Sequence, residues 1–413
     1  MTDATVGPGA VTRGSMVRVG AATAVSALCG YAVLYLAARD LEPAGFSVFG
    51  VFWGAFGLAS GAAFGLLQET TREVRQATAV APGGERTRPV RIGIGVGLGS
   101  AAAIAITAPL WAGHVFADAT LLSVALLAAG LAGFCIHTTL LGLLAGLDHW
   151  SEYGALMVAD ALLRVAVAAG SFVLGWGLGG YLWATVAGAV GWLLMLLTSP
   201  VTRAAARLYT PGTTATFLRG AGHSIAAAGA SAVLVMGFPV LLKATSGDLG
   251  AAGGVVILAV TLTRAPLLVP LTAMQGNLIA HFVDQRAHRL RALIIPAVVV
   301  LVLGAVGVTA AAVFGPWLLR EAFGPEYVAD GVLLGWLTAA AVMIALLTLT
   351  GAAAVAAALH RAYAVGWMSA TVAAATLLAL PLELEVRTVV ALLCGPLLGI
   401  AVHLVALAKV PPR

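Results

Sequence analysis

Three ionisable side chains stand inside otherwise apolar stretches of the sequence: Asp160, Arg164 and Arg264. An ionisable group at bilayer depth costs about 2.5 to 3.5 kcal/mol on insertion scales, so it persists only with a partner or a wet cavity. Arg264 lies in Thr261-Leu262-Thr263-Arg264-Ala265-Pro266, with Pro270 one turn on. A guanidinium offers a planar fork of donors that matches phosphate oxygens. Two readings of Arg264 follow: it faces a cavity and binds a diphosphate, or it forms a structural salt bridge to another helix. The two prolines remove backbone donors and predict a bent or opened helix there. Asp160 and Arg164 are four apart, so on a helix they share a face and can neutralise each other. Either the pair lines the cavity, with Asp160 positioning Arg164 or exchanging a proton, or it is purely structural.

A second group of polar residues falls at the ends of apolar runs. Gln68, Glu69 and Arg72 close one run, and Gln275 and Asn277 occupy the corresponding place later in the chain. They read either as gate or headgroup contacts or as ordinary interfacial residues. His137 and His223 lie within apolar runs and titrate near neutral pH when unperturbed, although a lone histidine is more often a packing residue. Tyr31 and Tyr35, one turn apart, could stack on sugar or isoprenoid, or simply meet core or lipid. Gly57, Gly61 and Gly65 form a GxxxGxxxG stripe, and Gly93 and Gly97 a second small-residue face, both suited to close helix packing in lipid.

The elements that carry these residues follow from composition. Of 413 residues, 61% are hydrophobic and 9% charged, with a mean hydropathy of +1.02. About 25% charged is usual for a soluble domain. A crossing helix needs about 20 apolar residues. Twelve such stretches are expected, at 17–38, 44–67, 90–112, 119–147, 153–178, 180–199, 221–242, 250–280, 292–314, 328–349, 362–382 and 389–407. They leave no room for a sizeable soluble catalytic domain. The short polar start of the chain reads as a tail and not as a signal peptide. The cysteines Cys29, Cys135 and Cys394 fall inside spans and read as packing residues. Sixteen arginines and lysines fall on one side of this topology and four, Arg39, Lys243, Arg320 and Arg387, on the other. The positive-inside rule then places both termini in the cytoplasm of a multi-pass cell-membrane protein. The net charge of +5 marks that face and calls for no nucleic acid.

The two halves of the chain echo each other. Arg18 and Arg219 open the first and seventh spans; Asp40 to Gln68 is 28 positions and Asp248 to Gln275 is 27. Pro109, Trp111, Asp118 and Tyr153 in the first half have counterparts in Pro316, Trp317, Asp330 and Tyr363 in the second. The expected fold is an all-α polytopic membrane protein, with twelve transmembrane helices in two six-helix lobes related by a pseudo-twofold axis along the membrane normal. The lobes are expected at 17–199 and 220–408, joined by a cytoplasmic linker at 200–219, with cytoplasmic tails at 1–16 and 409–413.

Three short motifs then carry a resemblance: Arg39-Asp40-Leu41-Glu42-Pro43-Ala44-Gly45-Phe46, Gln68-Glu69-Thr70-Thr71-Arg72 and Phe323-Gly324-Pro325-Glu326-Tyr327. With the topology and the repeat, the chain resembles the polysaccharide exporters and Wzx-type lipid-linked oligosaccharide flippases of the multidrug/oligosaccharidyl-lipid/polysaccharide (MOP) superfamily. The resemblance implies a MATE-like pair of bundles that alternate between inward- and outward-open states. It also implies a polyprenyl-diphosphate-linked glycan as cargo, membrane lipids and glycan polymerase machinery as partners, and no cofactor.

Other classes fit less well. No GxxxxGK[ST], GxSxG, HExxH or CxxC occurs, and the run Gly93 to Gly99 lacks the strand and downstream acid of a dinucleotide loop, so no enzyme, metal or nucleotide site is expected. A polytopic glycosyltransferase with acids in its first outer loop could use Asp40 and Glu42, but the outer connections are short. An ion-coupled multidrug antiporter of the same superfamily usually keeps a carboxylate in its first or seventh span, and here neither has one.

Overall fold

An α-helix satisfies its own backbone in hydrocarbon, and this chain is built almost entirely of helices. The computed structural model describes residues 13–77, 85–116, 118–285 and 288–409. Most of the two expected tails, and also Arg286 and Arg413, lie outside the described residues. Among the described residues nine helices are long and apolar enough to cross a membrane, and ten if a pair bent by 63° counts as one span. The first of the nine, Val17–Ala77, is divided at Glu42, whose φ of 51° and ψ of 168° leave the helical region ahead of Pro43. It yields α1 (13–41) and α2 (43–77). Then follow α3 (Pro89–Val115), α4 (Thr120–Gly146), α5 (Trp150–Leu174) and α6 (Gly177–Thr198). The bent pair Thr214–Val235 and Phe238–Ser246 is α7, followed by α8 (Gly250–Ala273), α9 (Ile294–Phe323) and α10 (Gly331–Ala356). The last two legs are α11 (His360–Leu378), of 19 residues, and α12 (Leu384–Lys409).

Several expected boundaries move. The second span continues well past Leu67 to Ala77. The eighth does not run on to Ala280, because a new helix, Gln275–Asp284, starts beyond a turn at Met274. Pro266 and Pro270 do not open α8, which stays helical through both. The expected linker contains a short helix, Pro200–Ala206, and a two-residue strand, Thr210–Pro211.

The repeat is visible in the backbone. The turn before α5 places Asp148 at φ 59°, and the turn before α11 places Ala358 at φ 58°, each five residues ahead of the tyrosine noted above. Both turns carry the same hydrogen bonds: His149 N–H to Leu144 and Tyr153 N–H to His149 in one, Leu359 N–H to Ala354 and Tyr363 N–H to Leu359 in the other. This is a common way for a helix to end, so its recurrence 210 positions apart supports the repeat only together with the matching sequence punctuation. Each repeat also has a central helix, α4 or α10, that is buried on most faces.

Between the repeats, α2 and α7 run antiparallel along a glycine-lined seam. A Cβ on Gly54 would meet Pro239 at 3.0 Å, on Gly57 Met236 at 3.3 Å, and on Gly61 Ala232 at 2.6 Å. On Gly65 it would meet the backbone nitrogen of Ile225 at 2.3 Å. The expected stripe therefore does pack helices, and its partner is the first helix of the second repeat. Gly93 and Gly97 perform the same role inside the first repeat, against Thr139 and Ala132 of α4. A methyl at Gly65 has only backbone to push against, and overpacking of this kind costs about 1 to 3 kcal/mol. Gly65→Ala is accordingly expected to lower the unfolding temperature of the detergent-solubilised protein. Gly99→Ala, with nothing within 4 Å, is expected to leave it unchanged. Identical melting of the two variants would contradict a close-packed seam.

Candidate functional site

Arg264, which is buried, and Arg164, which is partly buried, both bear on the middle of the seam. In α7 the helix fails at Met236–Gly237 because residue 239 is proline, which has no N–H to give the carbonyl of Val235. Arg264 of α8 supplies the missing donor. Its Nη1 lies 3.1 Å from the Val235 carbonyl and 3.5 Å from that of Leu234, and its guanidinium stacks on Phe238 at 5.2 Å from the ring centroid. The residue is only 8% exposed, its Nη2 has no hydrogen-bond partner, and no carboxylate lies within salt-bridge distance among the described residues. The structural salt bridge considered for Arg264 is thus not formed. A backbone cap takes its place, with one donor left over.

On the other side of the seam, Arg164 of α5 is held by Asp160 through two bonds, Nη2 to Oδ1 at 3.0 Å and Nε to Oδ2 at 3.1 Å. Its Nη1 donates to the carbonyl of Thr185. That carbonyl sits just before Gly188–Val190, where a 3₁₀ turn interrupts α6. A Cβ on Gly188 would meet the Asp160 carboxylate at 2.1 Å, so α6 approaches the ion pair through a glycine. Arg164 also lies over the ring of Phe56, 5.2 Å from its centroid. Phe56 adjoins Gly57, which packs on Met236, which follows Val235. One short path of contacts therefore links Asp160 and Arg164 to Arg264 across the seam.

The residues at the arginine-rich end are placed differently. Arg72 forms a bidentate pair with Glu69, at 2.6 and 2.9 Å, and a further bond to Glu73 at 2.7 Å. Glu69 is buried, and a Cβ on Gly220 of α7 would meet its Oε1 at 1.8 Å, so the carboxylate rests against the second repeat. Gln68 and Asn277 are exposed and make no hydrogen bonds to this cluster, and the side chain of Gln275 lies outside the described residues. Of these five, only Glu69 and Arg72 come together.

At the end away from the arginine-rich loops, two of the three motifs interlock. Phe46 meets Tyr327 edge-on with centroids 6.2 Å apart, Tyr35 meets Phe323 at 5.8 Å, and the Pro43 carbonyl lies where a Cβ on Gly254 of α8 would fall. Tyr327 is fully buried with its hydroxyl unpartnered, and burial, with Glu326 and Glu42 adding to it, raises the phenol above its ordinary range. Tyr35 is thereby accounted for as a contact between repeats.

His137 stacks on Phe134 at 5.2 Å, and the Nδ1 of His223 lies 2.7 Å from the Arg219 carbonyl. His403, which no local pattern marks, is buried between Thr350, 3.1 Å away, and the Tyr363 carbonyl, 3.2 Å away, and ties α10, α11 and α12 together. Pro239 carried a readable signal, since a proline inside an apolar run orphans a carbonyl that some nearby donor must meet. The three cysteines are free, and the described residues contain no cluster of three or more metal-binding side chains.

No protein-family model matches the chain. It is 71% identical over 403 residues to Uncharacterized protein Rv3630 of Mycobacterium tuberculosis strain H37Rv, covering 97% of this chain and 94% of that protein. It is 65% identical over 416 residues to Uncharacterized protein Rv1510 of the same strain, covering 100% and 96%. Among solved structures, it resembles an inward-facing multidrug resistance MATE family transporter of the MOP superfamily, with a TM-score of 0.64, 15% identity and 93% and 94% of the two chains covered. A MOP superfamily transporter from Pyrococcus furiosus, described as having a binding pocket of reverse polarity, matches with a TM-score of 0.61, 15% identity and 95% of both chains covered. These last likenesses are of fold. The chain has the two-lobed MATE-type fold, and it belongs to the family of mycobacterial proteins that includes Rv3630 and Rv1510.

Proposed function

We propose that the protein is a transporter that carries a polyprenyl-diphosphate-linked oligosaccharide, or a polysaccharide precursor, across the cytoplasmic membrane by alternating access. Its moving units are the lobes 17–199 and 220–408, with both termini cytoplasmic. The observation that carries this reading is Arg264: a buried guanidinium at the seam between lobes, with no counter-charge among the described residues and with one nitrogen unfilled. A diphosphate would supply both the charge and the acceptor. Arg164, already neutralised by Asp160, would contribute a contact and little net charge. The polyprenyl tail stays in lipid while the headgroup crosses between the lobes. For outward opening, the aromatic contacts Phe46–Tyr327 and Tyr35–Phe323 have to part. Binding of the headgroup must favour one lobe arrangement over the other for the cycle to turn.

The test is flipping of a fluorescent polyprenyl-diphosphate sugar in proteoliposomes, read by its exposure to a membrane-impermeant quencher. Arg264→Gln keeps a donor for the Val235 carbonyl and removes the charge, so it is expected to stay folded. A charge-assisted hydrogen bond is worth about 1.5 to 3 kcal/mol, which corresponds to a loss of about ten- to hundredfold in flipping rate. Arg264→Lys should retain part of the activity. Wild-type flipping by Arg264→Gln would remove the headgroup assignment.

A second reading, an ion-coupled multidrug antiporter, draws on the MATE-type fold and on Asp160, a carboxylate at the seam. Stripping one partner from a buried pair costs about 3 to 5 kcal/mol, and less from this pair, which is partly exposed. Asp160→Asn alone should therefore lower the unfolding temperature, and Asp160→Asn with Arg164→Gln should recover most of the loss. If the double variant still flips the lipid-linked sugar, Asp160 serves to position Arg164. If instead the wild type exports cationic drugs under a proton gradient and the double variant does not, the antiporter reading takes precedence.

A further inference from the structure

The arginine-rich end of the molecule contains a feature that transport does not use. Two connections far apart in sequence, between α2 and α3 and between α6 and α7, are clasped by a small antiparallel sheet. Its strands are β1 (Arg86–Thr87) and β2 (Thr210–Pro211). The hydroxyl of Thr87 donates to the Gly212 carbonyl at 2.8 Å, and the Gly212 N–H donates to Glu85 at 2.9 Å. Immediately beyond β1 the Arg88 guanidinium lies over the Tyr209 ring, 4.4 Å from its centroid, and its Nε is buried without a partner. The clasp thus brings Arg86 and Arg88 of one connection, followed by Arg91 in the first turn of α3, to the connection that carries Arg207. Among the described residues none of these four has a carboxylate partner, although Glu85 lies next to Arg86. Of the acids at this end, Glu69, Glu73 and Asp148 are engaged by Arg72 and Arg75, while Glu85, Glu152 and Asp284 form no ion pair among the described residues.

The helices that the clasped loops join carry exposed apolar side chains. Ile94 and Leu98 on α3, and Leu193, Leu194 and Leu197 on α6, point outward. Arg203 folds back onto the carbonyls of Leu196 and Leu197 at the end of α6, which fixes the level at which apolar surface gives way to charge. Tyr209 is half exposed at that level, as an aromatic residue at a membrane interface would be.

From this arrangement we infer that the clasp is a binding surface for anionic phospholipid. The phosphodiester would be held by Arg86, Arg88 and Arg91 with Arg207, and the acyl chains would lie on the exposed faces of α3 and α6. A soluble polyanion would gain the charge contacts but leave the apolar faces unused, which is why a lipid is the better fit. The inference stands independently of the transported substrate.

The probe is phosphatidylglycerol compared with phosphatidylcholine of the same chains, each titrated into the purified full-length protein in neutral detergent and counted as retained lipid by native mass spectrometry. A basic residue near an anionic surface is worth about fivefold in affinity. The triple variant Arg86→Gln, Arg88→Gln, Arg91→Gln should therefore lose the preference for phosphatidylglycerol by at least about tenfold. The corresponding triple lysine variant should keep most of it, which separates loss of charge from loss of fold. Arg291→Gln with Arg361→Gln, exposed arginines of the same end in the second repeat, should change it by less than about twofold, because they lie outside the clasp. An unchanged preference in the triple glutamine variant, an equal loss in the Arg291/Arg361 variant, or displacement of the lipid by inorganic phosphate alone would overturn the assignment.

Discussion

A helix that breaks inside hydrocarbon leaves carbonyls with no water to turn to, and much of this structure follows from how two such breaks are met. An unsatisfied backbone group there costs several kcal/mol, while an arginine at bilayer depth costs about 2.5 to 3.5 kcal/mol to insert. One arginine that satisfies carbonyls at a break is therefore roughly neutral in free energy, and it brings a charge to a place where none would otherwise be stable. Arg264 does this for Val235 and Leu234 of α7, and Arg164 for Thr185 of α6. The two arginines are first of all backbone caps. Any headgroup role is added to that one.

The breaks are not randomly placed. Pro239, which causes the failure in α7, also packs on Gly54 of α2, and Met236 at the break packs on Gly57. The irregular turn of α6 approaches the Asp160–Arg164 pair through Gly188, and that pair reaches α2 through Phe56. Both irregular points therefore bear on the same stretch of α2. Glycine lets the backbones approach closely enough for these contacts. A bulkier residue at Gly61 or Gly65 would push the lobes apart along their length.

Much of this was legible in the sequence. The helical legs, the repeat, the seam glycines and the Asp160–Arg164 pairing all follow from spacing, because a four-residue interval on a helix leaves little choice of face. What was not legible depends on contacts between distant segments. Nothing local says that Arg264 caps a carbonyl some 30 positions earlier, or that Glu69 is neutralised by Arg72 and pressed against Gly220, so that it offers little free charge. The prolines of α8 misled in the opposite way: a proline in a lipid-embedded helix can be accommodated without a break when the neighbouring turns hold. The break fell at Pro239, which local sequence marks no more strongly than Pro266.

The comparison between the two repeats shows where their roles diverge. Their turns match down to the φ of one residue, yet the charges at the seam do not match at all. The first repeat keeps an arginine together with its own acid, so its charge is spent within the lobe. The second keeps an arginine with no acid partner among the described residues and an unfilled donor. Repeated folding units tolerate such asymmetry only where it does not disturb packing, and a cap for α7 could have been a neutral donor such as glutamine at lower cost. The surplus charge is therefore unnecessary to the fold. On the proposed reading it is what distinguishes the lobe that engages an anionic headgroup from the lobe that anchors the seam.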